Sequence, residues 1–147
     1  MKTKRLVVLV ISLLILGSCS SNDDNSVTEN QPTLVHKWSL NGWKFNNVVQ
    51  TLTNCKKQSY IQFNSNNTFE RKDYAFVSNN CVLEGSDNGT YNYNSSTHKI
   101  TLNFTDPNNG SQVEVLNNVN FTNTNLTYTW DEDNNGVDEH SLDYLKN

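Results

Sequence analysis

Six consecutive residues, Asp131-Glu132-Asp133-Asn134-Asn135-Gly136, place carboxylate or amide oxygens at the first, third and fifth positions and glycine at the sixth. That is the first half of a calcium-binding loop, in which hard oxygen donors alternate around a sharp turn. The twelfth position, where a bidentate Glu would complete the loop, is Leu142, so Glu139 or Asp138 would have to serve on a loop of different shape. The donors nominated are Asp131, Asp133, Asn135 and Glu139. The same run also reads as a solvated hairpin turn between apolar stretches at 126–130 and 137–144, because Asn-Gly is a preferred turn dipeptide. A weak calcium site and no cofactor at all both stay open on this spacing.

Other chemistry finds less support. His36, His98 and His140 fall in no H-x₃-H or H-E-x-x-H spacing, so they are expected as surface or strand residues rather than zinc ligands. No G-x-S-x-G elbow presents a nucleophile. Two carboxylates acting on a glycosidic bond need only meet in space, but nothing in the spacing nominates a pair. The chain is expected not to be an enzyme. With a formal charge of −4 it has no basic stripe to neutralise phosphates, which argues against a nucleic-acid partner.

The three cysteines point to a compartment. Lys2-Thr3-Lys4-Arg5 is a positive leader, and Leu6 to Leu16 is apolar except for Ser12. At a rise of ~1.5 Å per residue that run spans only about half of a ~30 Å hydrocarbon core, as a signal peptide does. It ends in Leu16-Gly17-Ser18-Cys19, which resembles a bacterial lipobox. The resemblance implies cleavage before Cys19 and acylation of that residue; the alternative is ordinary secretory cleavage with Cys19 an incidental thiol. Ser20-Ser21-Asn22-Asp23-Asp24 resembles the acidic surface-export tags of Bacteroidetes-type lipoproteins, or is a plain solvated tether. Either way, lipid-anchored retention at the outer membrane is the expectation, on its periplasmic or its cell-surface face. Acylation of Cys19 leaves Cys55 and Cys81, and an even pair in an oxidising compartment reads as a disulfide. A metal site at these two lacks partners in C-x₂-C spacing.

The elements that position these residues divide the chain into a signal peptide at 1–18, an acylated Cys and disordered tether at 19–33, and a folded domain at 34–147. Residues 20–33 are nearly devoid of apolar side chains and cannot offset their ordering entropy by burial. Beyond Leu34, short alternating runs are broken every 8–12 residues by Asn, Gly, Asp or Ser clusters, the mark of an all-β sandwich or barrel. In 99–105, Ile100, Leu102 and Phe104 share one face. The same count gives Ile61 and Phe63, Tyr91 and Tyr93, Val113 and Val115, and Leu126, Tyr128 and Trp130 as inner faces, with a last strand ending at Leu142 and Tyr144. In 67–77, Phe69 and the pair Tyr74 and Phe76 are out of phase, which predicts a bulge or kink near Lys72-Asp73. Turns are expected at 64–67, 85–88, 94–96, 107–110 and 131–136. Eight or nine strands in up-and-down order follow, with at most one short helix.

Leu34-Val35-His36-Lys37-Trp38-Ser39-Leu40 resembles the opening strand of small bacterial lipocalin-like lipoproteins, in which a Leu-x-Gly-x-Trp segment closes the barrel base. Cys55 ahead of Tyr60-Ile61-Gln62-Phe63, then Thr68-Phe69, Cys81, Gly89-Thr90-Tyr91, Ile100-Thr101-Leu102 and Asn125-Leu126 follow that family's order. His36 stands where the family carries Gly, leaving a second register, starting at Gly42-Trp43, open. The resemblance implies an antiparallel lipocalin-like barrel of about eight strands over 34–147 that binds a small apolar molecule. Trp38, Phe63, Phe69 and Tyr91 are interior candidates, and so are Tyr93, Phe104, Tyr128 and Trp130. Such residues either line a pocket or fill the barrel, and an eight-stranded barrel has room for either. A filled barrel would instead serve as a surface interaction or adhesion module, with calcium stiffening 131–139.

Overall fold

The structure is a computed structural model that describes residues 31–147. The signal peptide, Cys19 and the tether up to residue 30 lie outside the described residues. Nine strands follow one another: β1 (Lys37–Phe45), β2 (Val48–Val49), β3 (Tyr60–Phe63), β4 (Thr68–Val77), β5 (Asn80–Asn94), β6 (Lys99–Asp106), β7 (Gly110–Phe121), β8 (Asn125–Trp130) and β9 (His140–Lys146). Strand β2 is a short return on β1, and the other strands form an antiparallel meander that closes where β1 pairs with β9. The barrel of about eight strands that the resemblance implies, in the up-and-down order read from the spacing, is the observed architecture, and closure leaves its wall without a free edge. A 3-10 turn at Lys56–Gln58 is the one helical element among the described residues.

Strand alternation decides what lies inside. Ile61, Phe63, Ile100, Leu102 and Leu126 are buried as predicted, and Trp38 is fully buried at the base. Its indole N–H donates to the Leu34 carbonyl at 2.9 Å, which folds the segment before β1 across the barrel floor. His36 sits in that segment, ahead of the strand and edge-on to Trp38, so no glycine is needed there. Strand β1 then runs on through Gly42 and Trp43, and both registers considered belong to one strand.

Three expectations are corrected. Val113 and Val115 face outward at 68% and 38% exposure, because β7 is phased by the buried Leu116, which turns Gln112 and Glu114 inward. The 85–88 run is no turn. The chain reverses earlier, at Ser78-Asn79, where both residues take positive φ (50° and 64°) as a two-residue hairpin requires. Asp73 then pairs with Gly85 and Tyr74 with Leu83, so Glu84 is the extra residue of a bulge. The irregularity predicted near Lys72-Asp73 is therefore present, with its additional residue on the partner strand β5. Finally, β9 begins at His140 rather than Val137 and runs past Tyr144 to Lys146, leaving 131–139 as a loop rather than a tight hairpin.

Two further features fix the shape. Cys55 and Cys81 are disulfide-bonded, tying the 3-10 turn to the outer part of the β4–β5 hairpin. At Gly89 a Cβ would lie 2.0 Å from the Asn103 carbonyl oxygen, so only glycine allows β5 and β6 to approach there. Phe69 and Phe104 flank Gly89 on the neighbouring strands and meet edge to face at 6.1 Å.

Candidate functional site

The barrel is filled at one end and open at the other. At the base, Trp38, Ile61, Phe63, Phe69, Ile100 and Leu102 pack into one apolar cluster with Leu116, Val119 and Leu126. One step up, the inward positions become charged. Arg71 follows Phe69 on β4, Asp87 precedes Gly89 on β5, and Glu114 precedes Leu116 on β7. Arg71 donates a fork of bonds to Glu114 (2.7 and 2.9 Å) and two more to Asp87 (2.8 and 3.1 Å). Burial alone would lower the guanidinium pKa, but the bonds and charge of Glu114, with Asp87, hold it well above its ordinary value. Beside this triad the Tyr128 and Tyr144 hydroxyls meet at 2.9 Å, and burial pushes both phenols up.

Above this layer lies a cup of about 420 Å³. The adjacent strands β1, β8 and β9 supply its aromatic and aliphatic arc, Leu40, Trp43, Tyr128, Trp130, Leu142 and Tyr144. The charges come from elsewhere: Arg71 and Asp73 on β4, Glu84 in the β5 bulge, Glu114 on β7, Lys56 in the 3-10 turn and Glu132 in the 131–139 loop. Lys56 reaches Asp73 at 3.5 Å and Glu84 at 3.9 Å.

His140 links the two sets. The Trp43 indole N–H donates to its Nδ1 at 3.0 Å. Indole is a donor only, so Nδ1 is the bare nitrogen, and the ring proton is assigned to Nε2, which faces Glu132 Oε2 at 3.1 Å. The imidazole stacks on Trp130 at 4.8 Å and on Trp43 at 5.9 Å. Taking up a second proton would cost it the Trp43 bond.

The eight interior candidates do not share one surface. Trp38, Phe63 and Phe69 are 0–2% exposed in the packed base. Tyr128 and Trp130 line the cup. Tyr91 and Tyr93 border a separate, shallower recess of about 490 Å³ at the base, together with Thr33, Leu34 and Phe121. Phe104 lies between the levels, edge-on to Phe69 and 5.7 Å below the Arg71 guanidinium. The cup residues not among the eight candidates are Leu40, Trp43, Leu142, Tyr144, His140 and the charged set. Simple alternation from Trp38 and Leu40 points Trp43 outward; the bulge at Asn41 reverses that phase. Arg71 follows by alternation from Phe69, and Glu114 from Leu116 once Val113 and Val115 are placed on the outer face.

The 131–139 loop brings together Asp131, Asp133 and Glu139, with one oxygen of each within 4.8 Å of the others. Those oxygens already have donors. Asp131 accepts the Asn135 and Gly136 N–H groups (3.2 and 2.8 Å), and Asp133 also accepts that of Asn135 (3.1 Å). Glu139 accepts from the Glu132 N–H at 3.0 Å and the Asn135 side chain at 3.2 Å. The Asn135 side-chain oxygen takes the Val137 N–H at 2.8 Å. These bonds order the loop and leave each carboxylate with further lone pairs. Asp138 points away, binding Asn117, Asn118 and Thr129 and pinning the loop to β7 and β8.

No curated protein and no solved structure matches the chain. Residues 34–128 do match a family described as Lipocalin-like domain. Trp130, Glu132, His140, Leu142 and Tyr144 of the cup lie beyond the matched span. A match over more than half of the chain, on a closed antiparallel barrel, makes this protein a member of the lipocalin-like domain family.

Proposed function

We propose that this chain is a non-catalytic, lipid-anchored protein of the cell envelope that holds one small, partly apolar molecule in the cup. The observation that carries this reading is that the barrel is packed only at its base and keeps about 420 Å³ beneath its mouth. Small-molecule sites have volumes of about 300–1,000 Å³ and combine apolar walls with a few placed polar groups. Here Trp43, Trp130 and Leu142 would give contact area, while Trp38, Phe63 and Phe69 keep the wall in shape. The charged groups of the cup are engaged with one another, which suits holding a ligand better than turning one over.

The disulfide supports an oxidising compartment. Acyl chains on Cys19, at ~0.8 kcal/mol per buried CH₂, would hold the domain at the outer membrane on its periplasmic or surface face. Replacing Cys19 with Ser is expected to move the protein from the membrane to the soluble fraction, and unchanged fractionation would refute the anchor.

Native mass spectrometry of the full chain taken from its own host's envelope tests the ligand. An adduct of small-molecule mass that denaturation removes, and that Trp130→Ala depletes, is the expected result. A bare protein would favour the second reading, a surface interaction module. That reading draws on the apolar side chains exposed along the outer β4–β5 hairpin, Phe76, Val77 and Leu83 at 57%, 51% and 50%.

A further inference from the structure

The cup is acidic in its charged groupings. Arg71 is shared by Glu114 and Asp87, Lys56 by Asp73 and Glu84, and Glu132 faces His140. Among these described residues five carboxylates stand against two fixed cations. The two groupings built on Arg71 and Lys56 each retain an excess of one negative charge. The first lies at the floor, where the Glu114 and Asp87 side chains are 11% and 21% exposed. The others stand higher, with Glu84 and Glu132 about 60% exposed. Just outside, Asp131, Asp133 and Glu139 add the same sign. A concave site lined with one sign of charge focuses its field on whatever enters.

The opposite arc carries the complementary feature. Trp43 and Trp130 bracket the cup from β1 and β8, and Tyr128 and Tyr144 stand below them. With one face of each indole stacked on His140, this arc offers contact area to an apolar body rather than a polar anchor. A carboxylate or phosphate ligand would meet repulsion from the charged arc. Arg71 gives it little foothold, because four of its five N–H donors already serve Glu114 and Asp87 and its charge is matched twice over.

We propose that the cup selects an organic cation, a protonated amine on an aromatic or branched aliphatic body, with its ammonium toward the Asp73, Glu84 and Glu132 carboxylates and its body against Trp43, Trp130 and Leu142. This rests on the reading of the cup as a ligand site. Of the three carboxylates, Glu132 lies outside the family's matched span, and the β5 bulge aims Glu84.

The test uses the full chain and three probes on one phenyl body with a three-carbon chain: 3-phenylpropylamine as the cation, 3-phenylpropanol as the neutral compound and 3-phenylpropionate as the anion. Quenching of tryptophan fluorescence is followed at neutral pH and two salt concentrations. The amine is expected to bind at least about tenfold more tightly than the alcohol, with the anion non-saturating and the preference shrinking in high salt. Replacing Glu84 and Glu132 with Gln together is expected to reduce the amine-to-alcohol ratio toward one. Equal or tighter binding of the alcohol or the anion would overturn the cation assignment while leaving the cup a ligand site. Saturable binding by none of the three also overturns the assignment, and the native adduct, measured separately, then decides whether the cup holds any ligand.

Discussion

Along β4 the inward side chains run Phe69, Arg71, Asp73; along β7, read toward the base, they run Gln112, Glu114, Leu116. The same strands thus build an apolar plug at one end of the barrel and a charged cup at the other. At the base the inward residues follow strand alternation except on β7, where a register shift between Asn117 and Asn120 brings Val119 inward three positions after Leu116, and burial without polar atoms supplies stability. Toward the mouth, bulges at Asn41 and Glu84 shift the phase, and each inward charge has a partner. The contrast teaches that the apolar half holds the fold while the charged half is where the proposed selectivity would reside.

The largest expected effect falls at the plug. Trp38→Ala should cost about 3–5 kcal/mol in denaturant unfolding, because a fully buried indole leaves a cavity and the Leu34 carbonyl loses its donor. Replacing Cys55 and Cys81 with Ser should cost about 3 kcal/mol by the loop-entropy argument for a separation of 26 residues. A reducing agent should reproduce that loss in the unmodified chain and add nothing to the variant. Arg71→Met should cost about 3 kcal/mol, since it strands two part-buried carboxylates, and also changing Asp87 and Glu114 to Leu should restore most of the loss. If the double-carboxylate change restored nothing, the boundary between plug and cup would be misplaced. Trp130→Ala should cost only about 1–2 kcal/mol, including its stacking on His140, yet deplete the bound adduct. Equal thermal shifts for Trp38→Ala and Trp130→Ala would erase the distinction between the two ends.

The smallest effect is one of pH. Tyr128 and Tyr144 have raised pKa values in the folded state, so their contribution is whole below pH ~10, where the unfolded chain's tyrosines are protonated too. Above that, ionisation favours the unfolded chain, and stability falls as pH rises toward the folded pKa values. Ultraviolet titration should show two of the six tyrosines silent until the barrel opens. If all six ionised near pH ~10 with the fold intact, the floor of the cup would have to be wet.

The barrel, its strand order and the cystine were legible because they rest on alternation, turn chemistry and cysteine parity. The cup was half legible. Tyr128 and Trp130 continue the phase of Leu126, so their inward aim is plain, whereas Trp43 reads outward until one extra residue at Asn41 is known. His140 has no metal-type spacing because its partners are Trp43 and Trp130, one on a distant strand and one across a loop. Val113 and Val115 misled for the converse reason: they alternate as a core face does, but Leu116 sets the phase.

The seam between β1 and β9 has a kinetic consequence. Every other pairing in the meander joins consecutive strands, whereas the Asn41–Asp143 contact across the seam bridges 102 positions. Local hairpins can form as soon as their two strands exist, but the seam must await nearly the whole domain and bears a loop-closure cost of roughly 4 kcal/mol. Until then the ladders of β1 and β9 stay open, ready to pair with a second chain. Circularly permuting the domain, by joining its ends and cutting at the exposed 107–110 turn, would make β1 and β9 a local hairpin and leave β6 and β7 as the strands that close last, so the late-forming ladder should move with the cut.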